Sequence, residues 1–130
     1  SAPKTLVIPE HWSRNTWEEK ARENPLNAIM TSVEMSDAAA DDFSDGHLEL
    51  FFKKGVRLYE EHLKPLMPEL PDAKENAYIV EYGCGAGRIL KALVEEGYRV
   101  GGIDISETML GHCARLVPET KDDLFPLDAQ

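Results

Sequence analysis

The sequence has few cysteines, few basic residues and no long apolar run, and each of these shortages excludes a class of protein. The two cysteines, Cys84 and Cys113, have neither a CxxC partner nor a histidine at metal-ligand spacing, so no metal site is predicted. We interpret both as reduced thiols. No apolar run approaches the ~20 residues that span a bilayer, and the first residues lack the pattern of a secretory signal. We therefore expect a cytoplasmic protein that does not contact membranes.

Basic residues are too few to support binding of nucleic acid. The chain holds 14 Lys and Arg against 24 Asp and Glu, which gives a formal net charge of −10. A protein that neutralises phosphates needs a basic cluster, and the sequence contains none. Direct nucleic-acid binding by this chain alone is therefore disfavoured, we expect no such partner, and we interpret the acidic side chains as a solvated surface. The length of 130 residues is sufficient for one hydrophobic core.

The first part of the chain, residues 1–75, is predicted to be a helical segment followed by a linker. A capping-box pattern at Thr16 predicts a helix that begins near Ser13 or Thr16 and ends before Pro25. A second, short helix is indicated by apolar residues at helical spacing from Leu26 to Val33. A loop is expected at 36–46.

A longer helix is predicted from about Gly46. One apolar stripe marks its inward face, formed by Leu48, Phe52, Val56, Tyr59 and Leu63. Three prolines follow, at Pro65, Pro68 and Pro71, and we expect them to end the helix and to form a stiff linker.

Strand and helix patterns alternate in the second part, residues 76–130. The predicted elements are a strand at Tyr78–Tyr82, a helix at Ala86–Glu96 capped by Gly97, a strand at Arg99–Ile103, a helix from Ser106 to about Leu116 and a brief strand within Asp123–Ala129. This order predicts an α/β fold with a Rossmann-like parallel sheet of about three strands. Because Pro126 cannot donate to a ladder, the third strand is expected at a sheet edge.

The turn after the first strand contains three glycines, Gly83, Gly85 and Gly87. Glycines permit positive φ and let a ligand lie against bare backbone, and the helix that follows offers free N–H groups to an anion. A dinucleotide-binding turn would place Gly or Ala where this sequence has Arg88. Glu81, two residues before the first glycine, would repel a pyrophosphate and attract an ammonium group. The turn therefore favours a ligand that carries a cation as well as an anion.

Acidic residues follow the second and third strands. Asp104 closes the second strand, where a carboxylate can accept hydrogen bonds from both hydroxyls of a ribose. Ile105 beside it is predicted to cover one face of an adenine. Asp128, followed by Ala129, closes the third strand and is predicted to accept from the amine of that base.

These three motifs, "VEYGCGAGR", "GIDIS" and "LDA", resemble the first cofactor motifs of class I S-adenosylmethionine-dependent methyltransferases. In that family the glycine turn wraps the methionine end of the cofactor, and the two acids hold ribose and adenine. The resemblance implies that this chain binds S-adenosylmethionine, or S-adenosylhomocysteine as product. The candidate cofactor-binding residues are Glu81, Gly83, Cys84, Gly85, Gly87, Arg88, Asp104, Ile105, Asp128 and Ala129. For Arg88, the cofactor's carboxylate and a neighbouring acid are equally good partners.

The resemblance also implies a partial methyltransferase fold, because the family's domain continues beyond three strands. In the family the first strand is central, whereas here one of its neighbours is missing, and an unpaired apolar strand promotes association. We therefore expect a fragment or half-protein. Its open sheet edge would be covered by self-association or by a C-terminal partner chain.

A methyltransferase with a small-molecule acceptor is the leading prediction, with this chain catalytically incomplete on its own. No catalytic residue is identified, and the histidines at 11, 47, 62 and 112 are interpreted as surface residues. His11 and Trp12 or Trp17 belong either to a lid over the cofactor or to an aromatic core. The alternatives are a non-catalytic S-adenosylmethionine-binding module or regulatory subunit, a structural fragment, and an NAD-binding half-domain, which Glu81 and Arg88 disfavour.

Overall fold

The computed structural model describes residues 14–23, 25, 45–69 and 76–127, and its helices and strands follow the predicted order. The helices are α1 (Arg14–Glu23), α2 (Asp45–Leu58), α3 (Arg88–Glu95) and α4 (Glu107–Leu116). The strands are β1 (Tyr78–Tyr82), β2 (Arg99–Asp104) and β3 (Leu124–Pro126). A π-helix (Tyr59–Leu63) and a 3₁₀ helix (Lys64–Glu69) extend α2, and a 3₁₀ turn (Pro118–Thr120) follows α4.

The three strands form one parallel sheet in the order β1-β2-β3. This arrangement confirms the predicted α/β fold, in which a partial parallel sheet follows a helical segment along the chain. In the β1–β2 register Glu81 lies opposite Gly102 and Tyr82 opposite Ile103, and Ile103 in turn lies opposite Phe125 of β3. Because β3 pairs only with β2, Pro126 lies at a sheet edge as predicted.

One face of the sheet is covered by helices and the other is open in the part of the chain that the structure describes. Ile79, Val100 and Leu124 point to the covered face, where they join a core with Leu90 and Leu93 of α3. Side chains alternate along a strand, so their neighbours point the other way. On this open face the exposed large side chains are Tyr78, Val80, Tyr82 and Phe125, of which Tyr82 is 71% exposed.

The C-terminus of α3 and the N-terminus of α4 are capped by the residues that the sequence predicts. Gly97, with φ of +95°, donates its N–H to the carbonyl of Val94 at 2.9 Å and ends α3. Ser106 caps α4, because its Oγ accepts the N–H of Met109 at 3.0 Å. Both caps were predicted, and each sets where the following strand or helix begins.

The inward face of α2 differs from the predicted stripe. Val56 of the predicted stripe is 39% exposed and Phe51, which is outside the stripe, is buried, whereas Tyr59 is buried as predicted. The reason is Gly55, where an added Cβ would collide with the backbone carbonyl of Arg88. A glycine here lets α2 approach α3 so closely that the face around Phe51 and Gly55 turns inward.

The prediction that Pro65 would end this helical segment is wrong. The chain stays helical through the π-helix and the 3₁₀ helix that contains both Pro65 and Pro68. A proline near the start of a helical turn costs little, because its missing N–H has no partner there and its φ suits the turn. Three other predictions lie outside the described residues: Pro71, the short helix at 26–33 and most of the loop at 36–46. The last two positions of that predicted loop, Asp45 and Gly46, belong to α2.

Candidate functional site

The glycine turn lies at the carboxyl end of β1, between the strand and α3. Its three glycines have positive φ: +73° at Gly83, +54° at Gly85 and +93° at Gly87. The N–H groups of Gly83 and Cys84 both donate to the carbonyl of Ile103, at 2.7 and 3.1 Å, which ties the turn to β2. L-residues with side chains rarely adopt such φ values, so the backbone itself requires glycine.

Two of these glycines serve different purposes. A Cβ on Gly87 would lie 2.8 Å from both Cys113 Sγ and Val117 Cγ2, so Gly87 allows α3 to pack against the end of α4. A Cβ on Gly83 would meet nothing within 4 Å. Gly83 therefore leaves open space beside bare backbone, as a ligand-binding turn requires.

Asp104 holds the turn from the end of β2. Its Oδ2 accepts the N–H of Gly85 at 2.9 Å, and its Oδ1 accepts the N–H of Ser106 at 2.9 Å. A carboxylate has about four lone-pair sites, so these two bonds leave each oxygen able to accept another. The same side chain can thus shape the glycine turn and still accept two hydroxyl groups.

A cavity of about 450 Å³ opens beside Asp104. It is lined by Trp17, Tyr82, Gly83, Gly85, Ile103, Asp104, Ile105, Met109 and Leu127. The cavity therefore brings together four residues predicted for the site: Gly83, Gly85, Asp104 and Ile105. Most of the lining is apolar and one carboxylate faces it, which is the usual make-up of a small-molecule pocket.

A second cavity, of about 370 Å³, lies along the open edge of β1. It shares Tyr82 and Gly83 with the first cavity, and Glu81 and Arg88 line it. Glu81 Oε2 and Arg88 Nε are buried there without a hydrogen-bond partner among the described residues. Buried polar atoms are nearly always paired, so these two atoms mark a place where a polar partner is expected.

The charge of Glu81 is sensitive to its surroundings. Burial raises the pKa of Glu81 to about 7, against the attraction of Arg88 and with a smaller contribution from Asp104. Burial also lowers the pKa of Arg88, and nearby Glu81 partly opposes that effect. A group that carries an ammonium beside Glu81 would return this carboxyl to its charged form.

Cys84, a predicted site residue, is buried beneath the turn. A Cβ on Gly102 would lie 2.5 Å from Cys84 Sγ, so the thiol fills the space that this glycine leaves in β2. The hydrogen bond with Cys113, together with burial, raises the pKa of the Cys84 thiol, which keeps it protonated. Both cysteines are free, as predicted, and Cys84 supports the turn by packing.

Asp128 and Ala129, the remaining predicted site residues, lie outside the described residues. His112 corrects one interpretation, since it is 6% exposed and not a surface residue. Its Nε2 lies 3.3 Å from the carbonyl oxygen of Ala21, and its Nδ1 lies 2.7 Å from Arg115 Nη2. His62 is exposed. His112 thus joins α4 to α1, a contact that the sequence does not signal because the partner is a backbone carbonyl.

Sequence reasoning left the place of Trp17 open and did not predict the contact that Glu18 makes with α4. Trp17 lines the first cavity, and Glu18 binds the start of α4 through Thr108. The capping-box pattern drew attention to this stretch for a local reason, whereas Glu18 contacts a residue 90 positions away. Among the described residues no group of three His, Cys, Asp or Glu is placed to hold a metal.

Comparison with known proteins finds similarity to methyltransferases in the part of the chain that holds this site. Residues 79–126 match a family model described as "Methyltransferase domain". The predicted resemblance to methyltransferases is confirmed over these residues. A relative named "Putative methyltransferase YqeM", from Bacillus subtilis (strain 168), is 36% identical over 67 residues, which are 52% of this chain and 26% of the relative.

The match to a solved structure is more remote. The crystal structure of Streptomyces venezuelae DesVI superimposes with a TM-score of 0.44 at 20% sequence identity, over 67% of this chain and 37% of that chain. This chain thus spans about a quarter of the Bacillus methyltransferase relative and little more than a third of the Streptomyces structure. None of the described helices is long and apolar enough to cross a membrane.

Proposed function

We propose that this chain binds S-adenosylmethionine across the two cavities that share Tyr82 and Gly83, as part of a methyltransferase. The observation that carries the proposal is that the two cavities contain two carboxylates, which differ in the hydrogen bonds that they already make. Asp104 is anchored by two backbone N–H groups and keeps lone pairs free, whereas Glu81 Oε2 is buried without a partner. The ligand has a ribose diol for the first acid and an ammonium group for the second.

The residues present fit this cofactor. Asp104 would accept from the ribose hydroxyls and Ile105 would contact the base, while Glu81 would pair with the ammonium group and Arg88 with the carboxylate. Gly83 and Gly85 would offer bare backbone between them, with Gly87 and Cys84 holding the turn in shape. Asp128 and Ala129 would reach the adenine, as the resemblance implies.

The cofactor supplies an activated methyl group on its sulfonium, so this chain's residues need only bind and orient it. We propose a small-molecule acceptor, because the net charge of −10 does not favour a nucleic acid. No side chain of the described residues is assigned as a catalytic base. We propose that residues 1–75 form a helical segment and residues 76–130 the cofactor-binding part.

Two further proposals concern the cell and the partner. Free buried thiols at Cys84 and Cys113 support a cytoplasmic location. Within the described residues β1 pairs only with β2, and this unpaired edge supports association with a second chain that covers it. A non-catalytic module that binds the same cofactor and depends on such a partner is the alternative function.

Calorimetric titration tests the proposed function. We expect saturable heat at one ligand per chain with S-adenosylmethionine and with S-adenosylhomocysteine, and no heat with NAD, because Glu81 disfavours a pyrophosphate. Heat with NAD alone would contradict the proposal. Absence of heat with all three ligands would favour a structural fragment.

A further inference from the structure

One acidic side chain on α1, Glu18, makes two hydrogen bonds to the start of α4. Glu18 Oε1 accepts the backbone N–H of Thr108 at 3.3 Å, and Glu18 Oε2 accepts the Thr108 hydroxyl at 2.5 Å. Arg22 Nη2 lies 3.6 Å from Oε2 on the same helix. Glu18 therefore acts as a helix cap supplied from another helix, because the first N–H groups of α4 have no partner within α4.

The start of α4 is also tied to the candidate cofactor site. The N–H of Ser106 donates to Asp104 Oδ1, while Asp104 Oδ2 accepts from Gly85 in the glycine turn. Asp104 thus binds Ser106 and Glu18 binds Thr108, so the two acids contact backbone N–H groups two residues apart at the start of α4.

Trp17, next to Glu18 on α1, is the part of this helix that reaches the cavity. Its half-buried ring lines the cavity together with Ile105 and Met109, and Lys20 Nζ lies 4.9 Å from the ring centroid. Trp17 and Glu18 share one helical turn, so the docking of α1 on α4 determines the position of Trp17. Besides the Glu18 bonds, the contact of His112 with the Ala21 carbonyl is a further polar link between these helices.

We propose that Glu18 is a positioning residue, which holds α1 against the first turn of α4 so that Trp17 forms one wall of the cofactor cavity. This inference rests on the proposed function for the identity of the ligand, and not for the docking of α1. Hydrogen bonds from Thr108 and Ser106 outweigh burial and hold the pKa of Glu18 below its usual value, so the cap is charged at neutral pH. Docking of α1 and ligand binding are then coupled, and each strengthens the other.

The test uses the fluorescence of Trp17 in a Trp12→Phe background, because the chain has two tryptophans. We expect Glu18→Ala to raise the Kd for S-adenosylhomocysteine about tenfold, the loss typical of a removed cap. Trp17 emission should move to the red and its quenching by acrylamide should increase without ligand. Glu19→Ala, one residue away and exposed, is the matched control and should change neither value.

A double-mutant cycle separates positioning from general destabilisation. Thr108→Val removes the hydroxyl that Glu18 accepts from and should raise the Kd less than Glu18→Ala, and the double variant should be no worse than Glu18→Ala alone. Additive losses, or an unchanged Kd and unchanged quenching in Glu18→Ala, would overturn the inference. If Glu18→Ala fails to fold, the Thr108→Val variant with the same two readouts decides.

The two proposals fail in different ways. Absence of ligand binding in the wild-type chain would refute the proposed function, while the quenching of Trp17 in the ligand-free variants would still test the docking of α1. Normal ligand binding with unchanged quenching in Glu18→Ala and Thr108→Val would refute the positioning role alone.

Discussion

Replacing Asp104 with alanine is expected to raise the Kd for S-adenosylmethionine by at least about a hundredfold, because two hydrogen bonds to a charged acceptor disappear. The substitution also removes the acceptor of the Gly85 and Ser106 N–H groups. Two unsatisfied N–H groups should lower the free energy of unfolding by about 2–4 kcal/mol. Calorimetric titration measures the first effect and thermal unfolding without ligand measures the second.

The two effects of Asp104 are separable by a matched control. Asp122→Ala removes an exposed carboxylate from the turn before β3 and should leave both values unchanged. Titration of Asp104→Ala well below its unfolding temperature ensures that the chain is folded. An Asp104→Ala variant that binds the ligand like the wild type would remove Asp104 from the site, even if its stability fell as expected.

Replacing Glu81 with glutamine is expected to abolish the pH dependence of ligand binding. With a pKa of about 7, Glu81 is mostly protonated at pH 6 and mostly charged at pH 8, so its charged fraction rises about tenfold over that range. An ammonium group binds the charged form, so the wild-type affinity should rise about tenfold from pH 6 to pH 8. Binding at pH 7 should release part of a proton, measurable as heat that depends on the buffer's ionisation enthalpy.

The same carboxyl sets a trend in stability. Its pKa is raised above the usual value of 4.5, so the folded chain binds more protons than the unfolded chain between that value and about 7. The contribution of the Glu81 carboxyl to the free energy of unfolding is fully present below pH 4.5 and is lost as the pH rises through 7. At pH 9 the free energy of unfolding of Glu81→Gln should therefore exceed that of the wild type by on the order of 2 kcal/mol, after allowance for partial exposure, and at pH 5 this difference should be largely absent.

Glu49→Gln is the control for Glu81, because Glu49 is an exposed carboxyl on α2. This variant should keep both the pH dependence of binding and the wild-type stability trend. A Glu81→Gln variant whose affinity still rises tenfold between pH 6 and 8 would show that another group binds the ammonium or titrates on binding.

Much of the site followed from the sequence, because its parts are set by local chemistry. Gly83, Gly85 and Gly87 require positive φ, Gly97 and Ser106 are caps, and the order of strands and helices permits few topologies. These features are decided within a few residues of each position. Asp104 was predicted as a ligand-binding acid, and its place at the end of β2 brings it beside the turn.

The parts that the sequence did not predict depend on contacts between distant elements. The inward face of α2 is rotated because Gly55 lies against the Arg88 backbone, and no periodicity within α2 encodes that contact. Glu18 and His112 look like ordinary surface residues until α1 docks on α4. Pro65 breaks α-helical geometry but is compatible with the 3₁₀ helix that contains it.

The most direct test of the proposed site is an amide NMR titration of the wild-type chain with S-adenosylhomocysteine. Binding across the two cavities predicts progressive, saturable shifts of the Gly83 and Gly85 amides and of the Ile105 amide. Gly97 precedes β2, at the opposite end of the strands, and its amide should stay in place. Shifts that appear at Gly97 while Gly83 and Gly85 do not move, or no shifts at all, would contradict the account.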